Sequence, residues 1–393
     1  MKIAIIVPSH LPVPCVKGGA VETLVTGLLN QNENERLINI TIFSAYYKEA
    51  FLESKKYVYT SFIWIKYNLL NKIINLATRC YSYLSGKQIP HFGIFQIIWH
   101  LKRNQFDWIV IEGNEQVIIP VYKITDKSRV LFHLHSAALF STPEVFNYCN
   151  KIIVVSQYIK NLVLKKTQRT DKDVVVLRNC TDISLFSRKN NLKFRESVLS
   201  NYHISKEDVV LCFTGRIDKQ KGIKELIQAL LLLPHNLPFK LIISGSAGLA
   251  FGLSDIKTEF YSEVMYLAKK LGNKVIFTGF IRNIEIPYIL VASDISIIPS
   301  LGEDAAPLTI FESMAAGLPI ITTDSGGIPE YVTDKCAIIL KKDEDFILNL
   351  SLAIQELLIS KEKREIMGNA GALHSQQFNY HQYYEDFIKI VTD

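Results

Sequence analysis

Paired cysteines are missing from this sequence. Its six cysteines, at positions 15, 80, 149, 180, 212 and 336, form no C-x-x-C motif and no paired spacing. A disulfide framework or a structural zinc site is therefore not expected. Reduced thiols in a cytosolic compartment are the expectation.

Long hydrophobic runs are missing as well. The first apolar run, residues 3–7, stops at Pro8, so we expect no signal peptide. The longest apolar stretches, such as residues 229–233, are much shorter than a membrane-spanning helix. We therefore expect a cytoplasmic protein.

Several motifs that would indicate other chemistry are lacking. Residues 8–18 follow the first apolar run without a G-x-G-x-x-G motif, which disfavours a dinucleotide oxidoreductase. Asp171-Lys-Asp173 and Asp343-Glu-Asp345 match the D-x-D metal motif, but neither follows a strand as that chemistry needs. We predict no cofactor and no essential metal. Helix-turn-helix, zinc and RNP-like patterns are not found, so nucleic acid is not an expected partner.

The composition is that of a globular enzyme with two domains. Of 393 residues, 48% are hydrophobic and 21% are charged. The net charge is +12 over residues 1–200 and −6 over residues 201–393. This asymmetry indicates that the first half meets an anionic partner.

Short apolar runs alternate with helical patterns in two series, which predicts an α/β protein with two parallel sheets. The polar stretch 187–196 separates the series, and residues 378–387 are typical of a helix. We predict domains at 1–200 and 201–375, followed by a final segment at 376–393. The predicted strands are 3–7, 38–43, 108–112, 130–135, 152–155 and 174–177, then 209–213, 240–244, 275–278, 295–298, 319–322 and 337–340.

The segment 304–319 contains two acids, Asp304 and Glu312, on either side of a predicted helix start. Pro307 suits the first helical position, where its missing N–H is no loss. The free amides of Leu308 and Thr309 would then point out of the positive end of the helix, where a phosphate can bind. Two acids that flank an anion site suit a nucleotide sugar.

A basic cluster follows the predicted strand at 209–213. Arg216 and Lys221 lie on the loop that joins this strand to a predicted helix at 225–233. Open α/β sheets bind their ligands at the carboxyl ends of strands. Both side chains are therefore candidates for binding an anion.

These segments resemble the family 4 retaining glycosyltransferases of the GT-B fold. The resemblance implies two Rossmann-like domains that face each other across a cleft, with a C-terminal helix that crosses back to the first domain. The segments that carry it are 18–22, 154–159, 177–182, 213–222, 276–281, 293–300, 304–319 and 323–330.

The resemblance implies a catalytic role for the basic cluster. Arg216 and Lys221 would bind the diphosphate from the second domain and stabilise the charge that develops on the leaving group. The backbone of Gly18 and Gly19 would approach the diphosphate from the first domain, where a Cβ would block it.

The resemblance implies different roles for the two acids, Glu312 and Asp304. Glu312 would accept hydrogen bonds from the ribose hydroxyls, and Asp304 from hydroxyls of the donor sugar. The first acid is usually a glutamate in this family, so either Asp304 or the adjacent Glu303 fills that position. Ile281 lies where the family places the nucleotide base.

Two histidines end the predicted strand 130–135 on the same side, because side chains alternate along a strand. The family carries a histidine there that bonds the donor sugar. His135 is the candidate, and His133 is assigned to the core or to the support of His135. A purely structural His135 is the alternative.

Residues 48–103 combine nine Lys and Arg with two acids and several aromatic residues. An amphipathic helix at 69–79 that packs into the domain is one interpretation. The other is a surface that binds an anionic membrane and presents a lipid-linked acceptor, which would make the protein peripheral on the inner face of the cell membrane.

The sequence therefore predicts a metal-independent, retaining glycosyltransferase. We expect a UDP-sugar as donor and a glycan or lipid-linked acceptor, in the biosynthesis of a bacterial surface polysaccharide such as a capsule. The alternative is a non-catalytic relative that binds a sugar nucleotide or a glycan on the same fold.

Overall fold

The computed structural model describes residues 1–8, 10–66, 92–136, 143–247 and 258–392. The chain divides into two compact units. Unit 1 comprises Met1–Arg178 with Tyr383–Asp393, and unit 2 comprises Asn179–Gln382.

The strands of the described residues are β1 Lys2–Ile6, β2 Asn39–Ala45, β3 Thr60–Ile65, β4 Trp108–Glu112, β5 Val130–Leu134, β6 Lys151–Val154, β7 Val174–Val176, β8 Val209–Thr214, β9 Phe239–Ser244, β10 Val275–Gly279, β11 Ile295–Ile298, β12 Ile320–Thr323 and β13 Ala337–Leu340.

The helices of the described residues are α1 Ala20–Glu35, α2 Lys48–Glu53, α3 Phe92–Arg103, α4 Ile118–Tyr122, α5 Gln157–Lys166, α6 Ile183–Phe186, α7 Arg188–Asn191, α8 Arg195–Asn201, α9 Ile223–Leu231, α10 Glu259–Lys269, α11 Ile286–Ala292, α12 Leu308–Ala315, α13 Phe346–Ile359, α14 Lys361–Ser375 and α15 Tyr380–Thr392.

Each unit contains one parallel sheet. The strand order is β3-β2-β1-β4-β5-β6-β7 in unit 1 and β10-β9-β8-β11-β12-β13 in unit 2. The central strands are buried on both faces, as parallel sheets covered by helices require. The prediction of an α/β protein with two Rossmann-like domains is confirmed.

The strand β3 lies in the segment where we predicted none. It pairs with β2 in parallel, with Ile42 beside Phe62 and Ser44 beside Trp64. Its aromatic and β-branched residues are typical of a strand. An exposed aromatic segment could have the same residues, so only the pairing with β2 identifies this segment as a strand.

The unit boundary lies at Arg178, earlier than residue 200, where we placed the end of the first domain. Helices α6 to α8 pack with the second unit because Arg195 donates from Nη1 to the carbonyl of Val291 at 2.9 Å and from Nη2 to Asp294 Oδ1 at 2.9 Å. In α15, Tyr384 donates to Asn32 Oδ1 of α1 at 2.6 Å.

In the first sheet, the strands that precede β4 extend the sheet on one side of β1, and β4 and the later strands extend it on the other side. The second sheet changes sides in the same way between β8 and β11. Loops that leave the carboxyl ends of such neighbouring strands diverge, which opens a ligand site at that edge. In unit 2, Lys221 lies on the loop after β8 and Asp304 on the loop after β11, and in unit 1 Glu112 is the last residue of β4.

Candidate active site

A lysine and an aspartate meet at the carboxyl edge of the second sheet. Lys221 closes the short 3-10 turn Lys219–Lys221 after β8, and Asp304 lies on the loop after β11. Lys221 Nζ donates to both carboxylate oxygens of Asp304, at 2.8 and 2.9 Å. Each side chain is 22% exposed. The pair therefore presents one cation and one anion at the place where the fold binds ligands.

The backbones of the loops after β8 and β11 are in close contact. Gly222 follows Lys221 with φ +67°, and a Cβ there would lie 1.8 Å from the carbonyl oxygen of Pro299. Gln220 accepts from the amides of Leu301 and Gly302 through its carbonyl, at 2.8 and 2.9 Å. The position of Lys221 relative to Asp304 is thus fixed by the backbone, and glycine is required at 222.

The acid beside Lys221 is Asp304 and not Glu303. Glu303 Oε1 accepts from Lys342 Nζ at 2.7 Å, and its Oε2 accepts from the amide of Gly326 at 2.7 Å. Asp304 accepts from the Ser300 hydroxyl as well as from Lys221. The neighbouring acids therefore belong to different hydrogen-bond networks.

The helix α12 begins directly after this loop. Pro307 is its N-cap residue, one position before the predicted one, and the helix starts at Leu308. The amides of Leu308 and Thr309 lie in the first turn, where helical hydrogen bonds do not reach them. Asn179 donates from Nδ2 to the carbonyl of Ala306 at 2.8 Å, which holds the approach to the helix. This end of α12 can bind an anion.

Glu312 lies in the middle of α12, between buried neighbours on both sides. Burial raises the pKa of Glu312 to about 7. The carboxyl group therefore takes up or releases a proton near neutral pH.

Arg216 lies on the same loop as Lys221, after β8, and Ile281 lies on another loop of the same sheet edge. Arg216 follows β8, is 48% exposed, and forms an ion pair with Asp218 at 3.2 Å. Ile281 follows β10 and packs against a hydrophobic cluster that includes Ile242 and Leu290. The exposed guanidinium can reach a ligand, whereas the Ile281 side chain supports the core.

In unit 1, Glu112 lies between two histidines. Its Oε2 lies 2.6 Å from His135 Nε2 and 3.0 Å from His133 Nδ1. Burial by itself would raise the pKa of Glu112, but the histidines, His133 above all, lower it to about 2. Burial, and then the nearby His133, lowers the pKa of His135. The site thus holds a carboxylate beside a neutral His135.

Glu22 of α1 is buried, and it fills the space beside Gly19. Gly19 has φ +106°, and a Cβ there would lie 2.0 Å from Glu22 Oε2. We expected the missing Cβ to give room to a phosphate, but in this structure it gives room to an acid of the chain itself. Burial raises the pKa of Glu22 to about 7. Gly18 also has a positive φ, +83°.

Two histidines and a glutamate are the ligand types of a zinc site, and Glu112, His133 and His135 have ligand atoms within 4.8 Å of one another. Around a tetrahedral metal, ligand atoms lie about 3.3 Å apart. The contact of 2.6 Å between Glu112 and His135 is a hydrogen bond instead. The arrangement present does not fit a metal ion without movement of the side chains.

The acids of the two D-x-D segments form local contacts. Asp171 pairs with Lys160 at 2.8 Å, and Asp173 accepts from the amide of Thr170 at 2.7 Å. Asp343 accepts from the amide of Asp345 at 3.2 Å. These contacts are those of loop and cap residues.

Two residues of the site, Glu112 and Glu22, were not among the predicted ones. Glu112 ends the apolar strand β4, so an acid at the carboxyl end of a buried strand was a usable signal. Glu22 lies within the glycine motif at 18–22, but nothing in the sequence indicates that its carboxyl group turns back onto Gly19.

This chain is similar in sequence to known glycosyltransferases. Residues 195–374 match the family model of the glycosyl transferases group 1. The putative glycosyltransferase YtcC of Bacillus subtilis is 25% identical over 84% of this chain and 77% of its own length. These matches support a glycosyltransferase enzyme.

Two further similarities are informative. The lipopolysaccharide 1,2-N-acetylglucosaminetransferase of Salmonella typhimurium is 26% identical over 69% of each chain. The crystal structure of Anabaena Alr3699/HepE in complex with UDP and glucose has a TM-score of 0.76 and 17% identity and covers all of both chains. At this identity the structural likeness supports the fold alone. Within the described parts of the chain, none of the helices has the length and apolar character to cross a membrane.

Proposed function

We propose that this protein is a retaining glycosyltransferase that needs no metal ion. It transfers a sugar from a UDP-sugar to a glycan or a lipid-linked acceptor in the biosynthesis of a bacterial surface polysaccharide. The observation that carries the proposal is the Lys221–Asp304 pair, with contacts of 2.8 and 2.9 Å, on the loop that leads into α12.

This edge of unit 2 would bind the diphosphate, which is the leaving group of the reaction. Negative charge builds up on the phosphate as the sugar departs, and fixed cations and amides stabilise it. Lys221 and Arg216 supply the cations, and Leu308 and Thr309 supply the amides. Lys221 exchanges Asp304 for phosphate when the donor binds, which leaves the Asp304 carboxylate to accept from a sugar hydroxyl.

Two other residues would recognise the donor. Glu312 accepts from the two ribose hydroxyls, a task for which a carboxylate has enough lone pairs. In unit 1, His135 contacts the donor sugar. The choice of UDP is supported by the UDP and glucose of the HepE complex, and the surface-polysaccharide role by the named activity of the Salmonella relative.

The first test is a binding screen in chelator. UDP, GDP and ADP, each with and without its common sugars, are added to the purified protein while its melting temperature is followed. A rise selective for UDP and its sugars, lost in Arg216→Ala and Glu312→Ala, supports the donor site. Absence of any shift contradicts the proposed donor site and favours the non-catalytic relative that binds a glycan.

The reaction itself is tested by transfer to a glycan acceptor. Retention is checked by NMR of the anomeric proton in the first product, because an α-linked donor then gives an α-linked product. Metal independence is contradicted if activity vanishes in chelator and returns with manganese.

A membrane surface on unit 1 is part of the proposal. Helix α3 buries Ile94, Ile97 and Leu101 and exposes Phe95 and Trp99, each to 51%. Exposed aromatic residues beside basic ones are typical of a surface that binds anionic lipid. Arg103 lies over the Trp99 ring at 3.5 Å. The predicted helix at 69–79 lies outside the described residues.

Vesicle sedimentation tests this surface. The protein is expected to pellet with anionic vesicles at low salt and to be released by high salt. Phe95→Ala with Trp99→Ala should abolish pelleting. Tyr266→Ala is the matched control, because Tyr266 is also exposed and also lies under a cation, Lys270, but in unit 2. Equal loss in the control contradicts the assigned surface.

A further inference from the structure

One carboxylate oxygen faces two histidine rings in unit 1. Glu112 Oε2 lies 2.6 Å from His135 Nε2 and 3.0 Å from His133 Nδ1, and the two ring centroids are 3.9 Å apart. Glu112 is 2% exposed and His135 is 11% exposed at its side chain. The acid therefore lies behind the histidine, as seen from solvent.

The protons of this cluster follow from its contacts. The lowered pKa of Glu112, about 2, makes it a carboxylate at neutral pH, and a carboxylate only accepts hydrogen bonds. The nitrogen of His135 that faces it must then carry a proton. Burial lowers the pKa of His135, so its ring holds one proton and not two. Nε2 donates, and Nδ1 keeps its lone pair.

The other titratable groups around His135 do not change this assignment. His133 of β5 lies beside the same carboxylate oxygen, with its Nδ1 at 3.0 Å. Glu22 of α1 is the remaining acid that acts on His135. Burial raises the pKa of Glu22 to about 7, so neutral pH is close to that pKa.

We propose that Glu112 is the positioning residue of His135: it holds the ring with Nε2–H directed at the carboxylate, so that Nδ1 accepts a hydrogen bond from a sugar hydroxyl. This inference deepens the proposed function, in which His135 contacts the donor sugar. It specifies the chemistry of that contact, since the substrate must offer a hydroxyl hydrogen to His135.

Nitrogen NMR of histidine-labelled protein tests the proposal without any substrate. Long-range proton–nitrogen spectra at pH 7 should give a protonated Nε2 for His135, with the two histidines distinguished through His135→Ala and His133→Ala. A protonated Nδ1 on neutral His135, or a doubly protonated ring, overturns it. Because no turnover is measured, this result is independent of the proposed function.

Kinetics then separate positioning from a structural role. In Glu112→Gln the side-chain amide can donate to His135 and favour the wrong tautomer. We expect kcat to fall by up to about 10²-fold, the loss expected on removal of His135 itself, while the KM of the donor changes little. Glu112→Asp, which keeps the carboxylate, should recover part of kcat, and the exposed Glu144→Gln should match the wild type. Equal losses in the Gln and Asp variants, with an unchanged His135 tautomer, contradict positioning.

Discussion

Lys221 Nζ donates to both carboxylate oxygens of Asp304, at 2.8 and 2.9 Å, across the loops that leave β8 and β11. The cation proposed to bind the donor phosphate is thus occupied by an acid of the same chain. A phosphate that binds Lys221 has to compete with Asp304, and removal of either partner should have opposite effects on nucleotide affinity.

Removal of the two partners is therefore a test of the phosphate site. Lys221→Ala should weaken UDP binding by about 2 to 4 kcal/mol, because it removes a cation and leaves Asp304 unpaired. Asp304→Asn should leave UDP binding equal or tighter but reduce sugar transfer strongly. Calorimetric titration and a transfer assay measure the two effects. The pair Glu303 and Lys342, at 2.7 Å, provides the control, and Glu303→Gln should change neither.

The raised pKa of Glu312, about 7, predicts how UDP binding depends on pH. Below pH 7 the group is protonated and is a poorer acceptor for two ribose hydroxyls. Affinity should fall by up to about tenfold per pH unit below 7 and level off above 8, with proton release on binding at pH 6. Calorimetry in buffers of different ionisation enthalpy measures that release.

The control for this effect is Glu312→Gln, which cannot titrate. Its UDP affinity should be weaker at pH 8 and should keep only the pH dependence of the nucleotide itself. An unchanged proton release in Glu312→Gln would assign the titration to another group.

His135→Ala should lower kcat by about 10²-fold and change the dissociation constant of the donor by less than about threefold. A hydrogen bond that strengthens only as the sugar departs produces this separation. Rapid-quench kinetics and calorimetry measure the two quantities. His235→Ala, an exposed histidine of unit 2, should behave as wild type. Equal losses in binding and turnover would make His135 a binding residue only.

Gly19→Ala should destabilise unit 1 by about 2 to 4 kcal/mol. The new Cβ would lie 2.0 Å from Glu22 Oε2, and φ at this residue is +106°. Gly272→Ala separates the steric contact from the backbone strain. At Gly272 φ is +59° and nothing lies within 4 Å of the new Cβ, so only backbone strain of about 1 kcal/mol is expected.

A double variant completes that test. In the background of Glu22→Ala the carboxyl group is gone, so Gly19→Ala should cost at least about 1 kcal/mol less. Urea denaturation followed by circular dichroism gives these energies. Strict additivity of the two changes would show that Glu22 does not fill the space beside Gly19.

Much of the fold was predictable because buried parallel strands are short apolar runs between helical patterns. Each of the predicted strands corresponds to one in the structure, whereas β3 was missed. The aromatic residues of β3 suit either a strand or an exposed surface, and its pairing partner β2 lies outside any local window.

The meeting of Lys221 and Asp304 at one sheet edge was predictable for a related reason. Lys221 lies after one strand and Asp304 after another, and parallel topology brings the carboxyl ends of neighbouring strands to one edge. The sequence could not decide between Asp304 and Glu303, because the conformation of the loop sets the direction of each side chain and no local pattern specifies it. Contacts with Lys221 and Lys342 distinguish them.

The sequence by itself determined the two series of strands and helices and the residues at the strand ends, since both depend on patterns within a few neighbouring positions. Only the tertiary structure decided which charges meet. Glu112 and His135 are 23 positions apart, and Lys221 and Asp304 are 83 apart. Their pairing, and the pKa shift of Glu112 that follows, depends on strand order and burial, which act across the whole sheet and leave no local trace in the chain.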